Sequence, residues 1–183
     1  MKTWWTAIVC CGLSLLPWHV AHGLEFSAEQ TTRNGTQSVT GKIFFKPDRW
    51  RVEMASPAGP RIAIHRLDKT ITWLLLPNRK YVEMPLRLDQ APPIAPKLEG
   101  EVERRRVGSE QVGGRKTDKY EVTVDVNGRK EVLHQWVAPD INLPMKTTSA
   151  DGRRENAYGY VKVERQPDRL FELPAGYTQA PAP

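Results

Sequence analysis

Between residues 24 and 183 the chain is cut by turn signals at short, regular intervals, and between the cuts apolar residues tend to recur at every second position. Asn34-Gly35, Pro47-Asp48, Asp68-Lys69, Pro77-Asn78-Arg79, Gly113-Gly114, Asn127-Gly128, Pro139-Asp140 and Asp151-Gly152 are turn-forming pairs and triplets, and Asn-Gly favours the tight two-residue hairpin. Trp50, Val52 and Met54 alternate with Arg49, Arg51 and Glu53, and Tyr120, Val122, Val124 and Val126 alternate with Glu121, Thr123 and Asp125. That period of two is the pattern of a half-buried strand. No segment of the same region sustains a long 3.6-residue apolar stripe. The pattern predicts one mainly β domain (α+β at most) with little helix, built as a single antiparallel sheet in meander order.

Four stretches depart from this rhythm. Residues 70–76 (Thr70-Ile71-Thr72-Trp73-Leu74-Leu75-Leu76) are apolar without alternation, so both faces of that strand should be covered. Residues 87–100 hold Pro92, Pro93, Pro96, Ile94 and Leu98 with no period, which predicts either an irregular connection or a partly apolar flap across the sheet. Pro167-Asp168-Arg169-Leu170-Phe171 reads as a single helical turn, and the Pro/Ala tail 179–183 as disordered, which leaves 24–178 as the folded domain.

Residues 1–23 have a different character. Lys2 precedes an apolar run ending near Leu16, and Ala21 and Gly23 stand at the −3 and −1 positions of a cleavage site, as in a secretory signal peptide cut near Gly23-Leu24. Both cysteines, Cys10 and Cys11, lie inside that run, so the mature chain has no thiol and no disulfide. It is expected to be exported to the periplasm and not to span a membrane after cleavage. The whole chain has 27 Lys+Arg and 21 Asp+Glu, and without Lys2 the mature balance is +5. The signs are mixed along the chain, which together with export argues against nucleic acid. Arg104-Arg105-Arg106, flanked by Glu101 and Glu103, reads as a solvated strand face.

Catalytic signals are thin. The mature chain has two histidines, His65 and His134, each inside a strand-like run, and no ligand-like spacing around them. No serine sits in a Gly-x-Ser-x-Gly context. The expectation is no catalytic residue, no metal and no cofactor; an enzymatic reading requires His65 and His134 to meet carboxylates.

The apolar and aromatic content then has to be explained, and here the residues resemble a family. Gly41-Lys42-Ile43-Phe44-Phe45-Lys46-Pro47-Asp48-Arg49-Trp50-Arg51, followed by Asp68-Lys69-Thr70-Ile71-Thr72-Trp73, Leu76-Pro77 and Lys80-Tyr81, resembles the periplasmic outer-membrane lipoprotein carriers, the LolA-like superfamily. The ending Pro167-Asp168-Arg169-Leu170-Phe171-Glu172-Leu173-Pro174-Ala175-Gly176-Tyr177 is similar to that superfamily's ending. Val107-Gly108-Ser109-Glu110-Gln111-Val112-Gly113-Gly114 through Tyr120, and Trp136-Val137-Ala138-Pro139-Asp140 through Lys146, are similar to a bacterial domain family of unknown function within it.

The resemblance implies a curved sheet forming an incomplete β-barrel, whose concavity holds lipid or lipoprotein acyl chains; the alternative is an envelope protein-interaction or sensor module on the same fold. Phe45, Trp50, Val52, Met54, Ile64, Trp73, Leu75, Val122, Val124 and Trp136 are the candidate lining residues. Parity groups them strand by strand without saying which face is concave. Lys46 stands where the carriers have an Arg that helps to hold their lid, and is the candidate lid contact. The carriers' initial lid helix has no counterpart here, since the mature chain enters a strand almost at once.

Overall fold

The structure, a computed structural model, describes residues 23–55, 61–88 and 91–180; residues 1–22 of the expected signal segment 1–23 and the last three residues of the expected tail lie outside the described residues. The strands follow the turn signals closely: β1 (Phe26–Asn34), β2 (Gln37–Lys46), β3 (Arg49–Met54), β4 (Arg61–Arg66), β5 (Ile71–Leu76), β6 (Lys80–Pro85), β7 (Glu101–Val112), β8 (Arg115–Val126), β9 (Arg129–Ala138), β10 (Leu143–Ser149), β11 (Arg154–Val163) and β12 (Thr178–Gln179). They form one open sheet in the order β12-β6-β5-β4-β3-β2-β1-β11-β10-β9-β8-β7. Every pairing is antiparallel except β12 with β6, which makes the sheet mixed at one margin. That strand, with Ala180 N–H donating to Tyr81 O (2.8 Å), brings Gln179 and Ala180 into order at the start of the segment expected to be disordered.

The chain between β6 and β7 forces the sheet to curl. Those strands are ten spacings apart in the sheet order, about 48 Å if the sheet were flat. Residues 86–100 could reach only about 50 Å even fully extended, and the described part, 86–88 and 91–100, is not extended. Ala91 N–H donates to Leu88 O and Ile94 N–H to Pro92 O, and Leu86 and Ile94 pack onto a cluster at the centre of the sheet. The sheet must therefore bend toward the face that this segment crosses, which becomes the concave one. Of the two readings of 87–100, the flap describes it: a strap across the open barrel. Leu86 N–H on Thr70 O and Asp125 N–H on Gly100 O pin its two ends.

Two cores result, one on each face. The concave cluster comprises Phe26, Ala28, Ile43, Phe45, Trp50, Ala138, Leu143, Met145, Tyr158 and Val161. A bulge supplies part of it. Ser27 pairs with Lys162 and Glu29 with Gly159, so Ala28 faces two residues of β11, and Tyr158 and Val161 share the inner face despite being three apart. The displaced residue is Tyr160, with φ at 52° and its ring outward in solvent. Gly113, at the β7–β8 turn, presses on the backbone of β11: a Cβ there would lie 2.6 Å from Tyr158 O.

The convex cluster joins Ile64, Trp73 and Leu75 to Phe171, with Phe44, Ile62, Tyr81, Leu170, Leu173 and Tyr177 around it. Phe171 ends a 3-10 turn (Asp168–Phe171) at the expected single helical turn. This C-terminal segment is the outer cover that β5 required, since Trp73 and Leu75 would otherwise lie in water. Basic side chains from three adjacent strands staple it down. Lys46 Nζ donates to Asp168 Oδ1 (2.6 Å), Arg51 Nη1 to Leu170 O (3.1 Å), and Arg66 Nη1 to Phe171 O (3.1 Å) and Glu172 Oε1 (2.7 Å).

Candidate functional site: a half-filled concave face

The concave face is packed at one end only. Pairing places Phe26, Phe45, Trp50 and His65 on one rung of inward-facing residues, and Phe26 stacks on Phe45 at 5.3 Å between ring centroids. Two rungs further along β1 the inward residues become Gln30, Thr32 and Asn34, which are too polar to pack as a core. There the sheet leaves two open grooves on either side of β1. One, of about 330 Å³, has Val39, Val52, Met54 and Gly41 as its apolar wall. The other, of about 370 Å³, runs between Thr32 and Asn34 on one side and Leu133, Thr147 and Ser149 on the other, with Pro93 of the strap at its rim.

A belt of polar side chains crosses the floor. Gln30 Nε2 (2.7 Å) and Thr32 Oγ1 (3.3 Å) both donate to Asn156 Oδ1, and Asn156 is paired with Thr147, which is paired with Gln135. Gln135 Oε1 accepts from Arg104 Nη2 at 2.9 Å. The same Nη2 donates to Pro96 O of the strap (2.6 Å), and the guanidinium grips both oxygens of Glu101 while lying over the Tyr120 ring at 4.8 Å. Arg104, with the Leu98 N–H, holds the Glu101 carboxyl below the usual carboxylate range against the opposing effect of burial. Arg104 thus latches the strap to the concave floor. Arg105 and Arg106 point to solvent and pair with Glu121 and Asp118, so the solvated-face reading of the basic run holds for these two and fails for Arg104.

The candidate lining residues fall on both faces. Phe45, Trp50, Val52, Met54, Val122 and Val124 are on the concave side; Val52 and Met54 line a groove, whereas Phe45 and Trp50 belong to the packed end. Ile64, Trp73 and Leu75 are on the convex side under the C-terminal segment. Trp136 is also convex, between the ammonium groups of Lys119 (4.7 Å) and Lys146 (5.0 Å), with its indole N–H on Glu110. Lys46, the candidate lid contact, is convex too: it reaches Asp168 and, at 3.7 Å, Glu25, and so holds the C-terminal segment while Arg104 holds the strap. Sequence reasoning missed Arg104, Gln135 and Tyr158; the one signal available for Arg104 was the acidic residue three positions before it.

The histidines do not converge. His65 is concave, stacked on Trp50 at 4.7 Å and bonded through Nδ1 to Thr72 Oγ1 at 3.0 Å. His134 is convex, six strands away in the sheet order and 3.8 Å from Glu121. Among the described residues no three His, Cys, Asp or Glu side chains gather as a metal site would require, and no helix is long and apolar enough to cross a membrane.

No protein-family model and no curated protein matches the sequence, but solved structures match its shape. An uncharacterized conserved protein from Thermus thermophilus aligns over 87% of this chain and 91% of its own, with TM-score 0.57 and 12% identity. LprF from Mycobacterium bovis aligns over 86% and 91%, with TM-score 0.53 and 12% identity. The MucA/MucB complex of Pseudomonas aeruginosa aligns over 81% of this chain at TM-score 0.55 and 17% identity, and this chain spans only 56% of the matched chain. These likenesses show a shared fold. The incomplete barrel that the sequence resemblance implied is the one observed. Among the described residues the strap, 86–88 and 91–100, is the cover of the concave face.

The latch gives a direct test. Arg104→Leu strands the Glu101 carboxylate, whose side chain is only 8% exposed, and frees Pro96 O. A loss of about 2–3 kcal/mol in unfolding free energy is expected, with faster amide exchange confined to 91–100. An unchanged urea midpoint and unchanged exchange would show that Arg104 latches nothing.

Proposed function

We propose that this protein is exported to the periplasm and acts there without catalysis, holding the acyl part of a lipid or lipoprotein on its concave face beneath the strap. The observation that carries this reading is the half-filled concavity. One end is a packed core, while the other keeps two open grooves of about 330 and 370 Å³, the first walled by Val39, Val52 and Met54 and the second bordered by Leu133 and by Pro93 of the strap. Grooves of that size are in the range of small-ligand sites. Val39, Val52, Met54, Leu133 and Pro93 offer the hydrocarbon contact, which favours binding by about 25 cal/mol per Å² buried, before the cost of ordering strap and chain. The LolA-like fold supports a carrier-like role.

Protein purified from its own envelope should release acyl lipid in native mass spectrometry, and the delipidated form should bind a fluorescent fatty acid. An envelope-purified sample that carries no lipid and ignores the probe would end this reading. A second reading, docking of an envelope protein, draws support from the likeness to a chain of the MucA/MucB complex. Periplasmic crosslinking that yields one specific protein adduct, with no lipid in the groove, would favour it.

A further inference from the structure

The packed and polar parts of the concave face meet at two side chains whose donors are unused. Gln135 on β9 is fully buried, and its Oε1 is fixed by Arg104, so its amide Nε2 points elsewhere and has no partner. Tyr158 on β11 is 1% exposed and its hydroxyl has no partner. Burial raises the phenol's pKa, so it stays a donor; Asn156 beside it partly offsets the rise without meeting it in hydrogen-bond geometry. The Asn156 Oδ1 beside Tyr158 already accepts from Gln30 and Thr32. Each unmet buried donor weakens the empty protein, a cost that Leu and Phe in these places would avoid.

Charge narrows what these donors suit. The guanidinium groups bordering the groove are paired, Arg104 with Glu101, Arg154 with Glu131 and Arg33 with Glu155. Among the described residues a phosphate or carboxylate on this floor would meet these paired groups, whereas a neutral carbonyl needs only a donor. Leu133 and Pro93 alongside offer hydrocarbon contact. We propose that Gln135 and Tyr158 form a site for the carbonyl of an ester- or amide-linked acyl chain, whose hydrocarbon lies in the adjoining groove. The inference rests on the acyl-binding reading and adds the polar group to it. Ile94 packs on the cluster that contains Tyr158, and Pro96 O is tied through Arg104 to Gln135, so residues 91–100 border the site.

The test uses the full mature chain and matched short-chain phospholipids, equal in headgroup and chain length, with ester or ether linkages, each below its micelle concentration. An N-acyl amino acid serves as the amide arm. Calorimetric titration should give the ester about ten-fold tighter binding than the ether; whichever of ester and amide binds more tightly indicates a lipid or a lipoprotein source. Tyr158→Phe should cut the ester–ether ratio to about three-fold while leaving the melting temperature of the empty protein unchanged or raised. Equal ester and ether affinities overturn carbonyl recognition but leave acyl binding standing. Failure of every amphiphile to bind ends both. A Tyr158→Phe variant that weakens ester and ether alike makes Tyr158 a packing residue and also overturns the proposal.

Discussion

Phe171→Ala is expected to lower the unfolding free energy by about 3–5 kcal/mol, the range for truncating a fully buried phenylalanine. Against a typical total of about 5–15 kcal/mol this is a large share. The reason is positional. Phe171 is the fully buried C-terminal member of the convex cluster, between Ile64, Trp73 and Leu75, and its segment covers β5 on that side. Losing the ring opens a cavity and also loosens the anchor that the staples from Lys46, Arg51 and Arg66 hold in register. Urea titration should show a lower midpoint, and limited proteolysis should begin cutting beyond Gln166. A loss under 1 kcal/mol would mean that the staples, not the apolar contact, hold the cover in place.

This asymmetry between faces bears on function. The convex cover is held by directed bonds from three strands and a buried ring, so it is built to stay. The described part of the concave strap is held at its two ends, by Leu86 and Ile94 against the cluster, and by the Arg104 guanidinium. It borders a groove that the core leaves unfilled, which is where a reversible occupant needs the protein to yield.

How far the fold was legible follows from the same residues. Strand positions were readable because turns and period-2 alternation are local, so the expected breaks at Asn34-Gly35, Gly113-Gly114 and Asn127-Gly128 coincide with hairpins. The need for two covers over 70–76 was also readable, from composition alone. Face was not. Trp50 pairs with His65 and Arg51 with Ile64, which puts Ile64 opposite to Trp50; that register is a long-range fact absent from either strand. On β9 the candidate lining residue Trp136 lies on the convex face. Gln135 and Leu133 face inward, while Trp136 is covered outside by lysine side chains. Arg104 was hidden in a run of like charges, and β12 is too short to leave a pattern.

Acidification should destabilise the protein through His65. Its imidazole is buried against Trp50 and Thr72, and burial lowers its pKa from 6.5 to about 4. The folded state therefore favours the neutral ring, while the unfolded chain takes up a proton near pH 6.5. Between those values the unfolded state binds more protons, so stability falls as pH drops. Above pH 6.5 the full contribution is present; below about 4 it is gone. A depression of this size corresponds to about 3 kcal/mol, from which the contact of the protonated ring with the Trp50 face recovers on the order of 1 kcal/mol. Asp68 acts in a separate, lower window: Arg66 holds its pKa at about 2, and its contribution fades only as pH falls from the unfolded 3.8 through that value. Urea titrations at pH 7, 5.5 and 4.5 should thus show most of the loss already at 4.5. His65→Gln should flatten the profile over that interval and leave the steeper fall below pH 4. A wild-type profile flat from 7 to 4.5, or one that His65→Gln leaves unchanged, would place the acid sensitivity elsewhere.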